Sequence, residues 1–317
     1  MKVLFPSGTI GGTTGKVQFL RRLMVEFEKY DDIKIVTENE SKIDIELNLI
    51  HVEKMRNRKA KQVVRIDGTN TPDMKTAKRI GKALSIVDGV VYQSEYAKKA
   101  TLFHIKKRIK VKTRGCCIEE VIFNGADPEF YNNIQPAAKV FEKNIITVAK
   151  WRRLKRLKET TRIFLDLIDR QDVGLIVIGQ DVDYKVKHPN IKYLGKVDPV
   201  TLGSYYKMCD VQCLLSWTDA CPNTVVECIN AGTPCVVGNQ GGSHELLGGI
   251  KNCGMSCNID PIYNWKSPVV PKGISNAQEV ADSLIYYLDN PTTAVNSEIH
   301  IANVALRYKS FFEKILG

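Results

Sequence analysis

The sequence predicts an α/β protein of two Rossmann-like domains with a cleft between them, on three observations. Short apolar strands alternate with amphipathic helical stretches through both halves, the pattern of a parallel sheet. The alternation lapses over Pro128 to Lys143, where no period holds, and restarts at Asn144. At 317 residues the chain has room for two cores of ordinary size. The expected boundaries are 1–131 for the first domain, 132–143 for a linker, 144–294 for the second domain, and 295–317 for a final helix that packs back on the first.

Each element has its own signal. Lys2 to Phe5 reads as a strand rather than a signal peptide, because a proline and glycines follow at once. A glycine-rich loop, Gly8 to Gly15, precedes an amphipathic helix over Val17 to Lys29. Strands follow at 33–36, 43–50, 62–66 and 89–92. Ser94 stands where a helix N-cap belongs, before a helix over 95–103, and 121–123 is the last strand of the first half. In the second half the strands are 144–149, 174–178, 191–194, 211–215 and 234–237. Its helices are 157–170, 199–208, 223–231, 277–288 and 295–315.

Composition narrows the class. Hydrophobic residues are 44% and charged residues 26%, ordinary for a globular chain, and no apolar run is long enough to span a bilayer. Nine cysteines, an odd number scattered through apolar stretches, predict buried free thiols in a reducing cytoplasm. The formal net charge of +11, with lysine-rich stretches at Lys54 to Lys61 and Lys106 to Arg114, calls for an anionic partner or a solvated basic surface. Nucleic acid is disfavoured, since these clusters lack interleaved aromatics and no RNP-type or zinc-finger motif is present. Peripheral contact with an anionic membrane stays open.

The chemistry-bearing motifs lie at predicted strand ends. The loop holding Gly11 and Gly12 brings backbone N–H groups to a helix N-terminus, where an anion is favoured. It is not a Walker A loop, because position 10 is Ile and Val17 replaces the Ser/Thr, and it lacks G-x-G-x-x-G. After the strand ending at Ala149 come Lys150, Arg152, Arg153, Lys155 and Arg156, five cations crowded where open α/β sheets bind ligands. A diphosphate would satisfy them through charge-assisted hydrogen bonds. Further on, Asp219 and Glu227 straddle a loop-to-helix junction, with Cys221, Pro222, Asn223 and Thr224 between them. The helix start offers unpaired N–H donors suited to phosphate. A second glycine turn, Gly241-Gly242, leads to Glu245. Zinc is disfavoured at Cys209-x3-Cys213 and Cys253-x3-Cys257 because Cys213 falls in a predicted core strand. No G-x-S-x-G elbow supports a hydrolase, and the expectation that neither a D-x-D motif nor a carboxylate cluster marks a divalent-ion site favours metal-independent chemistry.

The stretch from Asp219 to Glu245 resembles the E-x7-E region of retaining glycosyltransferase family 4, followed by A-x-G-x-P and G-G-x-x-E; here Ala231, Gly232-Thr233-Pro234, Gly241-Gly242 and Glu245 fill the pattern. Val121 to Phe130, with Asn124, is similar to the family's V-I-x-N-G-V-D signature, and Ala149-Lys150 with Lys155 to its G-R-x4-K element. The resemblance implies a GT-B architecture and a nucleotide-diphospho-sugar donor, UDP- or GDP-linked, as substrate with no separate cofactor and no metal. It implies an acceptor hydroxyl on a glycan or glycolipid. Lys150 and Lys155 would hold the diphosphate, Glu227 the ribose, and Asp219 with Gly241-Gly242 the sugar. Three departures stand out. Asp219 is shorter than the usual Glu, Lys150 lacks the fork of an Arg that Arg152 or Arg153 would have to supply, and Asp67 occupies the place of a His. Asp67, with Gly11-Gly12, is expected on the acceptor side and to matter for chemistry more than for folding. His51 is a weaker substitute for the missing His. A nucleotide-sugar epimerase and a non-catalytic sugar-binding protein of the same fold remain alternatives.

Overall fold

In the computed structural model, residues 1–6, 14–40, 42–50, 52, 57, 59–67, 74–107, 117–168, 170–260 and 273–317 are described. Two compact units emerge: Met1–Ala126 with Glu298–Gly317, and Asp127–Ser297.

The first unit is built on six parallel strands, β1 (Lys2–Leu4), β2 (Lys34–Val36), β3 (Ile45–Leu49), β4 (Lys61–Ile66), β5 (Gly89–Tyr92) and β6 (Ile118–Val121), in the order β2-β1-β3-β4-β5-β6. Helices α1 (Gly15–Phe27), α2 (Met74–Leu84) and α3 (Glu95–Leu102) connect them. The Ser94 hydroxyl accepts from Ala97 N–H at 3.0 Å, so the predicted cap sets the start of α3. The sheet strands β3 to β5 are almost wholly buried, as a parallel sheet covered on both faces requires.

The second unit repeats the plan with β7 (Lys143–Val148), β8 (Val173–Ile178), β9 (Ile191–Gly195), β10 (Val211–Leu214), β11 (Cys235–Gly238) and β12 (Gly254–Cys257), all parallel, in the order β12-β11-β10-β7-β8-β9. This is the doubly wound order, and its topological switch point falls between β7 and β10. Helices α4 (Pro128–Asn132), α5 (Leu157–Ile163), α6 (Pro199–Met208), α7 (Asn223–Asn230) and α8 (Ala277–Asp289) belong to it, and α5 runs on as a wider turn over Phe164–Ile168. The last helix, α9 (Ile301–Leu316), lies with the first unit, where Tyr308, Phe311 and Phe312 share a core with Phe19, Leu23 and Phe27.

The crossing between units differs from the expected linker. Pro128 to Lys143 is not a spacer: Asp127 caps α4 through Glu129 N–H at 2.9 Å, and Lys207 donates to the carbonyls of Tyr131 and Ile134 at 2.9 and 2.7 Å. Ala137 N–H also bonds Ser204 O at 3.0 Å, so the segment from Tyr131 to Ala137 is tied to α6. On the segment's own side these ties are made by backbone groups, which leave no period in the sequence.

Among the described residues no helix is long and apolar enough to cross a membrane. Eight cysteines are described, all free, and all but Cys117 are buried. Burial pushes the Cys213 and Cys228 thiols up, and Cys257 to about 11, so they stay protonated near neutral pH.

Candidate functional site

At the switch point of the second unit, two loops carry several charged residues. The loop after β7 carries Lys150 to Arg156, and the loop after its neighbour β10 carries Ser216 to Asp219. Two ties hold these loops together. Trp217 N–H bonds Leu154 O at 2.8 Å, and the Lys155 ammonium pairs with the Asp219 carboxylate. Both partners of that pair are mostly buried, 17% and 23% exposed, so solvent screens it only in part.

The backbone around the pair is shaped for close approach. Gly241 has φ +87°, and a Cβ there would stand 2.6 Å from Asp219 O, so only glycine fits. Gly242 N–H then donates to that same carbonyl at 2.6 Å. Arg156 and Thr218 both adopt left-handed φ of 57°, a conformation that costs a non-glycine residue about 1–3 kcal/mol. Two such residues in facing loops mark the place where the fold tolerates strain.

The helix α7 begins beside this junction. Its cap position is Pro222, which supplies no side-chain acceptor, so its first-turn donors depend on other partners. Cys221 and Pro222 are buried, while Asn223, Thr224 and Glu227 are half-buried. Glu227 lies close enough to Tyr206 that its carboxylate, after burial itself, helps push that phenol well above its ordinary value.

The five cations of the β7 loop do not act as one cluster. Lys150 points to solvent and pairs with Asp181 at 3.4 Å, both side chains being some three-fifths exposed (61% and 60%). Arg152 and Arg153 are exposed, Lys155 is taken by Asp219, and Arg156 is turned inward onto Asp260. Asp181-Val182-Asp183 has D-x-D spacing, which corrects the expectation that no such motif is present and removes it as support for metal-independent chemistry. Among the described residues no group of three His, Cys, Asp or Glu side chains is placed to hold a metal ion.

In the first unit, the ends of β4, β5 and β6 bring Asp67, Gln93 and Asn124 to one buried cation, Arg65. Arg65 is fully buried; Asp67 pairs with it, the Asn124 side-chain oxygen accepts from it, and its guanidinium lies 4.4 Å from the Phe19 ring centroid. Gln93 donates to Asp67 as well. Asp67 therefore balances a buried charge and Asn124 accepts a hydrogen bond from it, a load that strand-end position alone did not reveal. Gly11, Gly12 and His51 lie outside the described residues.

Residues 142–261 match the model of the family described as Glycosyl transferases group 1. An uncharacterized glycosyltransferase of Methanocaldococcus jannaschii is 28% identical over 149 residues, covering 40% of this chain. The chain spans 38% of that relative's length. Across the whole fold, sucrose-phosphate synthase of Thermosynechococcus elongatus superposes with TM-score 0.64 at 12% identity, covering 99% of this chain and 96% of that one. The Anabaena HepE protein, solved in complex with UDP-glucose, has TM-score 0.60 at 12% identity, covering 99% and 97%. At such identities these structures establish the shared GT-B fold. The match to the glycosyl transferases group 1 model falls within the second unit and takes in most of it.

Proposed function

We propose that the protein is a retaining glycosyltransferase, moving a sugar from a UDP- or GDP-linked donor to a hydroxyl of a glycan or glycolipid. The observation that carries this reading is the Lys155–Asp219 pair at the β7/β10 switch point, beside a helix start with no side-chain cap. Open α/β sheets bind ligands at such a point, and a diphosphate there meets a cation and helix-terminal donors together. UDP-glucose, the ligand solved with HepE, is the first donor to test.

In this mechanism the bond from the anomeric carbon to the donor phosphate breaks as the acceptor oxygen bonds to the same face. The acceptor proton passes to the departing phosphate oxygen, so no strong protein base is required. Charge grows on the diphosphate, and Lys155, with Lys150 and the exposed Arg152 and Arg153 nearby in sequence, stabilises it. Asp219 and the Gly241-Gly242 turn orient the sugar, and Glu227 takes the ribose hydroxyls. These cations supply the counter-charge that a metal would, so turnover is expected to survive excess EDTA.

Steady-state kinetics with varied donor separate the roles. Contacts to the ribose change little along the reaction and belong in KM, whereas contacts to growing charge belong in kcat. Glu227→Gln should raise the donor KM and leave kcat nearly intact. Lys155→Ala should lower kcat by about ten- to a hundredfold, the worth of a charged hydrogen bond. An unchanged kcat in Lys155→Ala removes the leaving-group assignment, and metal-reversible loss in EDTA removes the cationic one.

A further inference from the structure

Arg156 is the one cation of the β7 loop that is fully buried. Its two terminal nitrogens bond both oxygens of Asp260, at 2.7 and 2.6 Å, and both side chains are only 1% exposed. The guanidinium also stands 5.5 Å from the centroid of the Trp217 ring. Asp260 in turn is held through its backbone by Asn239, whose side chain accepts from its N–H and donates to its carbonyl, each at 3.3 Å. Asn239 follows β11, Asp260 follows β12, Trp217 follows β10 and Arg156 follows β7. Arg156 thus joins the loops that follow β7, β10 and β12, and Asp260 ties in the loop after β11, so four neighbouring strands, β12-β11-β10-β7, are linked at this point.

Lys155 immediately precedes this anchor. The 3-10 turn Arg153–Lys155 ends in the left-handed Arg156, from which α5 starts. A left-handed residue ordinarily favours glycine, yet here a long cation occupies it and is turned into the protein. A buried ion pair is weak grounds for stability, because desolvation offsets most of the attraction. Its bidentate geometry, by contrast, fixes an orientation. We infer that the Arg156–Asp260 pair, stacked beside Trp217, is the positioning device that aims Lys155 into the donor site.

This rests on Lys155 being the leaving-group cation, so the experiment carries one arm that needs no donor. Trace acetylation with acetic anhydride, read by peptide mass spectrometry, measures how exposed each lysine amine is. In the native protein Lys155, at 17% exposure, should react more slowly than Lys150 at 61%. Asp260→Asn keeps the shape and loses the charge. It should speed Lys155 labelling about fivefold or more, with Lys150 unchanged, and lower kcat by about tenfold while donor KM stays within about twofold. Arg156→Lys, which keeps charge without the fork, should fall between Asp260→Asn and the native protein. Should Asp260→Asn fail to fold, the double variant Arg156→Met, Asp260→Leu removes the pair without stranding a buried charge. Unchanged Lys155 labelling in a folded variant overturns the proposal, as does released labelling with an unchanged kcat. If the native protein turns over no donor, the glycosyltransferase reading falls, and labelling alone still decides whether the pair holds Lys155.

Discussion

Asp67 answers the charge of Arg65, whose side chain has no exposure to water. Removing one partner of a buried pair leaves an uncompensated charge and costs about 3–5 kcal/mol. Asp67 is itself one-fifth exposed, at 20%, so the lower end of that range applies. Asp67→Ala should therefore destabilise the first unit, and Asp67→Asn, which keeps an acceptor for Arg65 and Gln93, should do so less. The measurement is favoured by an accident of sequence: all three tryptophans, Trp151, Trp217 and Trp265, fall within the stretch 127–297 of the sequence. Fluorescence then follows the second unit, while far-UV circular dichroism follows both. A urea transition in Asp67→Ala that matches the native one by dichroism would free Asp67 from the structural role and return it to the chemical one. The strand-end position of Asp67 was readable from the sequence, but its load was not, because Arg65 appears there as one more strand residue.

At the scale of elements, α9 shows how much of the first core is supplied from the far end of the chain. Tyr308, Phe311, Phe312 and Ile315 are buried against α1 and the sheet, and a Cβ at Gly89 would collide with Ile315 and Phe311. Truncating a buried aromatic of this kind costs about 3–5 kcal/mol. Phe312→Ala should thus shift the dichroism transition to lower urea while the fluorescence transition stays in place; joint movement of both would show that the units do not unfold separately. Elements with strong local signals were legible. Pro199–Met208 has the predicted bounds, and Ser94 caps α3 as its hydroxyl suggested. β12, Gly-Met-Ser-Cys, has no apolar alternation and went unread. Its Gly254 is demanded instead by its neighbour, since a Cβ there would sit 1.9 Å from Cys235 O. The site divides in the same way. Lys155 and Asp219 were visible because motif spacing marks both. Arg156 looked like one more loop cation, because its partner Asp260 lies 104 residues away in no motif.

At the scale of the molecule, the chain crosses between its units twice, after Ala126 and after Ser297, so the second unit is one continuous stretch and the first is not. Continuity means that 127–297 can be produced alone without cutting its sheet, whereas 1–126 alone would lack α9. The second unit has its own core, from Ile145 and Trp151 through Val177 and Val211 to Leu284 and Tyr287. It also holds Lys150, Lys155, Asp219, Glu227 and the Gly241-Gly242 turn, the residues proposed for the donor. If the proposed donor site is right, the fragment 127–297 should fold and be stabilised by UDP or GDP, while showing no transfer, because the acceptor-side residues are missing. Ligand binding to the folded state adds about 2.7 kcal/mol at a hundredfold excess over Kd, an upward shift easily seen by tryptophan fluorescence during heating. The Lys155→Ala version of the same fragment should lose most of that shift. A folded fragment that neither nucleotide stabilises at millimolar concentration would mean that the nucleotide contacts are not contained in the second unit, and that its switch-point pair serves structure alone.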